Sequence, residues 1–313
     1  MTAYIIRRLL ATIPVLVFVA LFVFLLLHLT PGDPAAIIAG DEATPEMIDG
    51  IRQQLGLDKP LWIQFGIYVA SLLQGDLGTS IFSNLPVTTL VQQRLEPTAL
   101  LAVSTLLVAV LMAVPMGVLA AWKARTLIDR VVMAFSVLGF AVPVFLIGYV
   151  MIYVFAIKLG WVPVQGYKPL SNGVWQTARS LILPSLALGM VYMALIARIT
   201  RASMLDVLSE DYIRTARAKG ADNAAVLLHH ALKNAAVPIV TVIGIGFTLL
   251  ISGVVITETV FNIPGLGRLT VDAILKRDYP IIQGLIILFA AVKVFVNLLI
   301  DISYAFFDPR IRY

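Results

Sequence analysis

The sequence predicts an all-α, polytopic membrane protein with six transmembrane helices and both termini in the cytoplasm. Of its 313 residues, 60% are hydrophobic and only 13% are charged, whereas soluble domains carry about 25% charged residues. The mean hydropathy of +0.94 reflects recurrent apolar segments of about 20 residues, the length that a helix needs to cross the hydrocarbon core of a bilayer.

The six predicted spans belong to a single domain that covers residues 1–313. The first span follows the basic start "YIIRR" and is too long for the apolar core of a signal peptide, so we interpret it as an uncleaved anchor. The fourth is the shortest of the six and only marginally long enough to span. The spans are placed at about 9–30, 98–121, 131–157, 181–197, 235–257 and 281–300.

The distribution of Lys and Arg orients these spans. Thirteen basic residues fall in the termini and loops of one side, and nine fall in the loops of the other. Because basic residues are retained on the cytoplasmic side, the first side is predicted to be cytoplasmic. A long loop, 31–97, then lies outside and a polar loop, 201–234, lies in the cytoplasm. Membrane orientation accounts for the net charge of +5, and nucleic acid is not a predicted partner.

Short helices are predicted in the outside loops. Thr44 is placed to cap a helix whose first residue is Pro45. The apolar stretch "LWIQFGIYVASLL", 61–73, is too short to span and is interpreted as an interfacial or packed helix. A turn at Pro264-Gly265 is expected to precede another short helix.

Catalytic and metal sites are not indicated by the pattern. The chain has no cysteine, which excludes disulfides and thiolate ligands. The adjacent pair His229–His230 would point about 100° apart on a helix, which does not suit one metal ion. No Asp or Glu falls within predicted spans one to five, although an ion-coupled carrier needs such groups. An intramembrane enzyme would likewise need a catalytic set within the spans.

Two polar residues do fall inside span six, Lys293 and, one turn later, Asn297. A charge at this depth is expected to face protein or water. We interpret the pair as a tie to a neighbouring helix or partner subunit, with the lining of a substrate path as the alternative. In span three, Gly139, Pro143 and Gly148 indicate either close packing or a flexing point.

The polar loop 201–234 is predicted to form a helix, a turn at Gly220 and a second helix that continues into span five. The second helix carries an apolar stripe of Val226, Leu227, Ala231 and Leu232. The loop is interpreted either as a solvated connector or as a docking element for a cytoplasmic partner. Its candidate contact residues are Asp211, Tyr212, Arg214, Thr215, Ala216, Arg217, Lys219, Gly220 and Ala221.

This loop resembles the EAA loop of ABC-importer permeases. Arg214-Thr215-Ala216 stands at the Glu-Ala-Ala positions and Gly220 at the glycine, while His230 and Lys233 stand where Ile and Pro are expected. Nearly the whole chain is similar to the dipeptide/oligopeptide permease family, first-subunit type, which also includes glutathione and nickel permeases. The similarity is carried by "RQQLGLDKPLWIQF", "SEDYIRTARAKG", "LKNAAVPIVT", "ETVFNIPGLGRL", "RDYPIIQG" and "DPRIRY".

The resemblance implies a permease subunit in the bacterial cytoplasmic (inner) membrane that works by alternating access. It implies a second homologous permease, two cytoplasmic ATPase subunits that carry ATP and Mg, and an extracytoplasmic solute-binding protein. The chain itself lacks the G-x-x-x-x-G-K-[ST] phosphate loop, so it is not expected to hydrolyse ATP. Small peptides are the favoured solute, with glutathione and nickel as alternatives, and a solitary carrier is the alternative class.

Overall fold

The computed structural model describes residues 2–29, 35–36, 43–54 and 56–307. The described residues form helices and no β-strand, which confirms the all-α prediction. Residues 31–34, at the start of the predicted outside loop, and the basic C-terminus 308–313 lie outside the described residues. In chain order the helices are α1 (Thr2–Leu29), α2 (Pro45–Gln54), α3 (Leu61–Leu73), α4 (Val87–Trp122), α5 (Leu127–Ala141), α6 (Val144–Met151, continued by π-helical turns to Lys158), α7 (Val174–Leu208), α8 (Asp211–Ala218), α9 (Asn223–Ala225, continued by π-helical turns to Leu232), α10 (Ala236–Val260), α11 (Leu266–Lys276) and α12 (Tyr279–Phe307).

Five of the described helices, α1, α4, α7, α10 and α12, are long and apolar enough to cross a membrane. A sixth crossing is present if α5 and α6 count together, and these two helices meet at an angle of 107°. The predicted third span therefore consists of two helices. The predicted fourth span, 181–197, is the centre of a much longer helix, because α7 runs 35 residues from Val174 to Leu208.

One compact unit comprises residues 2–94 and 269–294. In it the short helix α3 packs on α1. The ring centroids of Phe24 and Phe65 are 5.4 Å apart. The His28 ring forms a hydrogen bond of 2.9 Å with the Gln64 side chain. At the start of α12, the buried Asp278 carboxylate accepts a hydrogen bond of 2.6 Å from the Ser80 hydroxyl. The predicted helix at 61–73 is thus present.

The predicted capping at Thr44 is also present in this unit. Helix α2 begins at Pro45, and the Thr44 hydroxyl accepts a hydrogen bond from the Met47 backbone N–H at 3.4 Å. A proline at the first helical position costs no hydrogen bond, because the N–H that it lacks would have had no partner within the helix.

The other unit comprises residues 95–268 and 295–307 among the described residues. Helix α7 is its centre and packs against α5, α6 and α10. Apolar side chains of α7, including Leu188, Met193 and Ile196, are fully buried or nearly so. Small residues on α4, among them Ala109 and Ala113, are fully buried in the same core, as expected where membrane helices approach closely.

The broken pair α5–α6 contacts α7 at both of its ends. Near the start of α5, Asp129 accepts hydrogen bonds from Arg201 at 2.5 and 2.7 Å. Just after α6, the Trp161 carbonyl accepts a hydrogen bond from Arg179 at 3.0 Å. Arg179 and Arg201 are separated by about 33 Å along α7 at 1.5 Å per residue, which is close to the thickness of a bilayer core.

Candidate functional site

The polar loop between α7 and α10 folds as the sequence predicts. Helix α8 ends at Ala218, and the Ala221 N–H donates to the Ala216 carbonyl at 3.1 Å, closing the turn. Gly220 has a φ of +86°, a left-handed conformation that glycine adopts without steric cost. The next helix starts at once, since the Asp222 carboxylate caps the Ala225 N–H at 2.7 Å. A rigid helix pair with a short turn results.

Helix α8 buries one side chain fully against the rest of the protein. Ile213 is fully buried, whereas its neighbours on the same helix point outward. The predicted contact residues divide accordingly: Asp211, Tyr212, Arg214, Thr215, Arg217, Lys219 and Gly220 are exposed, and Ala216 and Ala221 are half-buried. Most of the predicted residues are therefore accessible to a partner.

The exposed residues of α8 are held only loosely by one another. Arg214 lies 3.3 Å from Asp211, and both side chains are largely in solvent, where such a pair contributes little. Burial raises the pKa of Tyr212, and the nearby Glu210 carboxylate raises it further, against a hydrogen bond from Asn234 that lowers it. Tyr212 is thus a neutral, partly covered ring beside basic side chains, and the surface remains available for a partner.

Ile213 belongs to an apolar cluster that joins five elements. Its buried members come from the ends of α4 and α7, from α8, from the turns after α9, and from the start of α10: Ala121, Met204, Ile213, Val226, Ala231, Ala235 and Ile239. Val226 and Ala231 belong to the predicted apolar stripe, and Leu227 and Leu232 pack against the same cluster. Ile213 therefore shares one apolar cluster with three long helices, α4, α7 and α10.

The Asp129–Arg201 ion pair holds α5 to α7 near the same end of the unit. Arg201 is one-quarter exposed and Asp129 is nearly buried, and the Asp129 carboxylate also accepts the Arg125 N–H at 2.9 Å. The sequence did not single out this pair, because the two residues are 72 positions apart.

A second polar cluster closes the opposite end of the unit. Glu258 is fully buried near the end of α10, and its carboxylate accepts hydrogen bonds from the Thr98 hydroxyl at 2.5 Å and the Arg268 N–H at 2.9 Å. Thr98 in turn accepts the Leu266 N–H at 2.7 Å. The turn after α10 wraps so tightly that a Cβ at Gly265 would collide with the Glu258 carboxylate. The cluster thus fixes the predicted turn and the first residues of α11, Leu266 to Arg268, against the part of α4 that contains Thr98.

These clusters correct the expectation that no carboxylate lies within spans one to five. Asp129 and Glu258 both lie in helices that extend past the predicted span limits. Their oxygens are occupied by an arginine, a hydroxyl and backbone N–H groups, as buried charges require. The predicted span ends, at 257 and 131, had excluded both residues.

The remaining predicted positions stay apart from these clusters. Lys293 and Asn297 lie one turn apart on α12, and both side chains are exposed in this chain. His229 and His230 lie on the π-helical turns after α9. Among the described residues, no group of three His, Cys, Asp or Glu side chains is arranged to hold a metal ion.

Long apolar helices, with an accessible helix pair between two of them, define the class of the protein as a multi-pass membrane protein. The chain belongs to the family of inner membrane components of binding-protein-dependent transport systems. Residues 113–313 match the description of that component, and residues 1–102 match its N-terminal region. The resemblance noted in the sequence is thereby confirmed, and the protein is a multi-pass protein of the inner membrane.

Relatives match the chain over its full length. It is 55% identical over 313 residues to a probable peptide ABC transporter permease protein of Sinorhizobium fredii, with both chains covered completely. It is 46% identical over 314 aligned residues to the glutathione transport system permease protein GsiC of Escherichia coli strain K12, again with full coverage of both.

A solved structure shares the fold. An inward-facing structure of the MetNI methionine ABC transporter matches with a TM-score of 0.59 at 17% identity, covering 71% of this chain and 97% of that chain. At this identity the likeness concerns the helical architecture alone.

Proposed function

We propose that this chain is a permease subunit of an ATP-driven, binding-protein-dependent importer of small peptides. The family assignment and the full-length relative named as a peptide permease support this function. Glutathione is the second candidate solute, because the relative at 46% identity is named for glutathione transport and glutathione is itself a small peptide. Both solutes fit one mechanism, alternating access driven by separate ATPases.

The topology in this proposal has six spans with both termini in the cytoplasm. The contacts of α5 and α6 with opposite ends of α7, through Asp129 and Trp161, support counting the broken pair as one crossing. The surplus of basic residues at the termini and in 201–234 supports the orientation. The whole chain, 1–313, then forms one membrane domain with a cytoplasmic coupling loop at 201–234 and an outside loop at 31–97.

The coupling step is assigned to α8 and its turn. Two cytoplasmic ATPase subunits would bind ATP and Mg, and one of them would receive the exposed surface of α8, including Arg214 and Arg217. ATP binding can shift the permease between states only if the ATPase contacts differ between those states. The observation that carries this assignment is the burial of Ile213 in a cluster shared by α4, α7 and α10.

We assign the exposed face of α12 to the contact with a second permease subunit. Lys293 would lie within the bilayer on a helix whose apolar segment is the least buried of the five long apolar helices among the described residues. Since an intramembrane charge faces protein or water, a contact with the second permease accounts for Lys293 and Asn297 better than lipid does. An extracytoplasmic solute-binding protein completes the assembly.

A solitary carrier is the alternative class. It would require carboxylates free to bind a proton or ion within the spans, and the buried Asp129 and Glu258 are already engaged by hydrogen-bond donors. This favours the importer.

The test is purification of the tagged chain from its native host in mild detergent, followed by ATPase measurements with each candidate solute-binding protein. We expect a second permease and ATPases to copurify, and one binding protein loaded with a dipeptide to stimulate hydrolysis. Stimulation by glutathione alone would assign the second candidate solute. Isolation of the chain alone, with uptake independent of ATP, would establish the carrier instead.

A further inference from the structure

A cleft of about 360 Å³ lies between α5 and α7. This volume falls within the range of roughly 300–1,000 Å³ that is usual for small-ligand pockets. Four lining residues come from α5 and two from α7: Met133, Ser136, Val137, Phe140, Ala194 and Arg198. The α5 residues are spaced three and four apart and the α7 residues four apart, so each set shares one helical face.

The cleft combines apolar walls with a single charge. Met133, Val137 and Phe140 provide the apolar surface, and Val137 and Phe140 are more than half exposed. The Ser136 hydroxyl is directed to the Val132 carbonyl at 2.9 Å. Arg198 is therefore the one charged group among the lining residues, and a small solute with apolar parts and one negative end would match them.

Arg198 differs from the arginine one turn further along α7. Arg201 makes two hydrogen bonds to the Asp129 carboxylate. Within the described part of the chain, no ion pair to Arg198 is formed, and its side chain is exposed. A guanidinium presents a rigid fork of N–H donors that suits a carboxylate, so Arg198 is available for an external one.

The break between α5 and α6 lies next to the cleft. Phe140 lines the cleft, and α5 ends at the following residue, with Val142 donating to the Leu138 carbonyl at 3.1 Å. Pro143 has no N–H, so the Gly139 carbonyl loses its normal helical donor. Irregular backbone at membrane depth is tolerated where protein covers it or water reaches it. The cleft beside the break provides the space through which water would reach this backbone.

We propose that this cleft is a station on the solute path, where Arg198 pairs with the C-terminal carboxylate of the transported peptide. Met133, Val137 and Phe140 contact the apolar side chains of that peptide. The inference rests on the proposed function and adds to it the chemical group that is recognised inside the permease.

The natural absence of cysteine provides a direct test. In the Val137→Cys variant the new thiol is the only one in this chain. The reconstituted complex, in vesicles of neutral phosphatidylcholine, is treated with two methanethiosulfonates of similar size, one carrying a sulfonate and the other a quaternary ammonium. Modification of this chain is followed by mass. We expect the anionic reagent to react faster, on the order of tenfold, because Arg198 raises its local concentration.

Two further experiments test the role of Arg198 and the role of the peptide carboxylate. Adding Arg198→Gln should bring the two rates together, whereas Arg130→Gln, an exposed arginine of α5 outside the cleft, should leave the preference unchanged. Alanyl-alanine should slow the modification several-fold, and its C-terminal amide should not. Loss of this protection in Arg198→Gln would complete the expected result.

Four results would overturn the inference. The charged reagents fail while N-ethylmaleimide reacts, which means that Val137 faces lipid. The rate preference survives Arg198→Gln. The free peptide and its amide protect equally. The preference disappears in phosphatidylglycerol vesicles, which means that a lipid phosphate occupies Arg198. Binding-protein-stimulated ATPase activity of the same preparation reports on the proposed function separately.

Discussion

Replacing Ile213 by Ala should uncouple ATP hydrolysis from solute uptake. The side chain is fully buried, and losing three methylene-sized groups at about 0.8 kcal/mol each removes roughly 2.4 kcal/mol of transfer free energy. The residual cavity brings the expected loss to about 3 kcal/mol, within the usual range of about 2–5 kcal/mol. Because about 1.4 kcal/mol corresponds to a factor of ten, the packing equilibrium of α8 shifts by roughly 100-fold.

The assay is solute uptake per ATP hydrolysed, measured in proteoliposomes that contain the whole complex. Hydrolysis should continue, and uptake per ATP should fall several-fold. Leu228→Ala is the matched control, since it shortens an apolar side chain of the same loop that is 55% exposed. Unchanged coupling in Ile213→Ala, or an equal loss in Leu228→Ala, would refute the packing of α8 as the route of transmission.

The remaining predictions concern the surface of α8, the buried Glu258 and the charge on α12. Arg214→Ala combined with Arg217→Ala should reduce uptake per ATP without changing the melting temperature of the purified chain, because both side chains are exposed. Gly265→Ala should lower the melting temperature by several degrees and abolish uptake, because the new Cβ collides with the Glu258 carboxylate. Lys293→Met should weaken copurification of the second permease, measured by quantitative mass spectrometry, if Lys293 lies at that interface.

Each of these predictions has a contradicting result. Normal uptake in the double arginine variant would reduce the two residues to markers of topology. Gly50→Ala should be neutral, because a Cβ at this position meets nothing within 4 Å. An equal loss of melting temperature and uptake in Gly50→Ala would show that the effect of Gly265→Ala does not come from the collision with the Glu258 carboxylate. Normal folding, assembly and uptake in Lys293→Met would remove both the interface and the substrate-path interpretations.

Local patterns predicted much of the fold and of the coupling loop. The turn at Gly220 and the apolar stripe around Val226 depend on neighbouring residues, so the helix pair could be derived before its packing was known. The helix at 45–54 with its Thr44 cap, and the helix at 61–73, are local in the same sense. Hydropathy also located each of the long apolar helices.

Features that depend on distant residues were not predicted. A proline is compatible with a continuous membrane helix, so Pro143 alone did not indicate a 107° break. Glu258 stood one residue beyond the predicted end of span five, and its partner Thr98 is 160 positions away. The roles of Lys293 and Asn297 stay predictions, because both residues are exposed in this chain.

The central claim is that this chain conducts a small peptide when separate ATPases hydrolyse ATP. Its most direct test is accumulation of a radiolabelled dipeptide in proteoliposomes that contain this chain, its second permease, the ATPases and the loaded binding protein. We expect uptake that requires ATP and the binding protein, and that falls several-fold per ATP hydrolysed when Ile213→Ala replaces the natural chain. Uptake of equal rate without ATP, or with this chain left out, would contradict it.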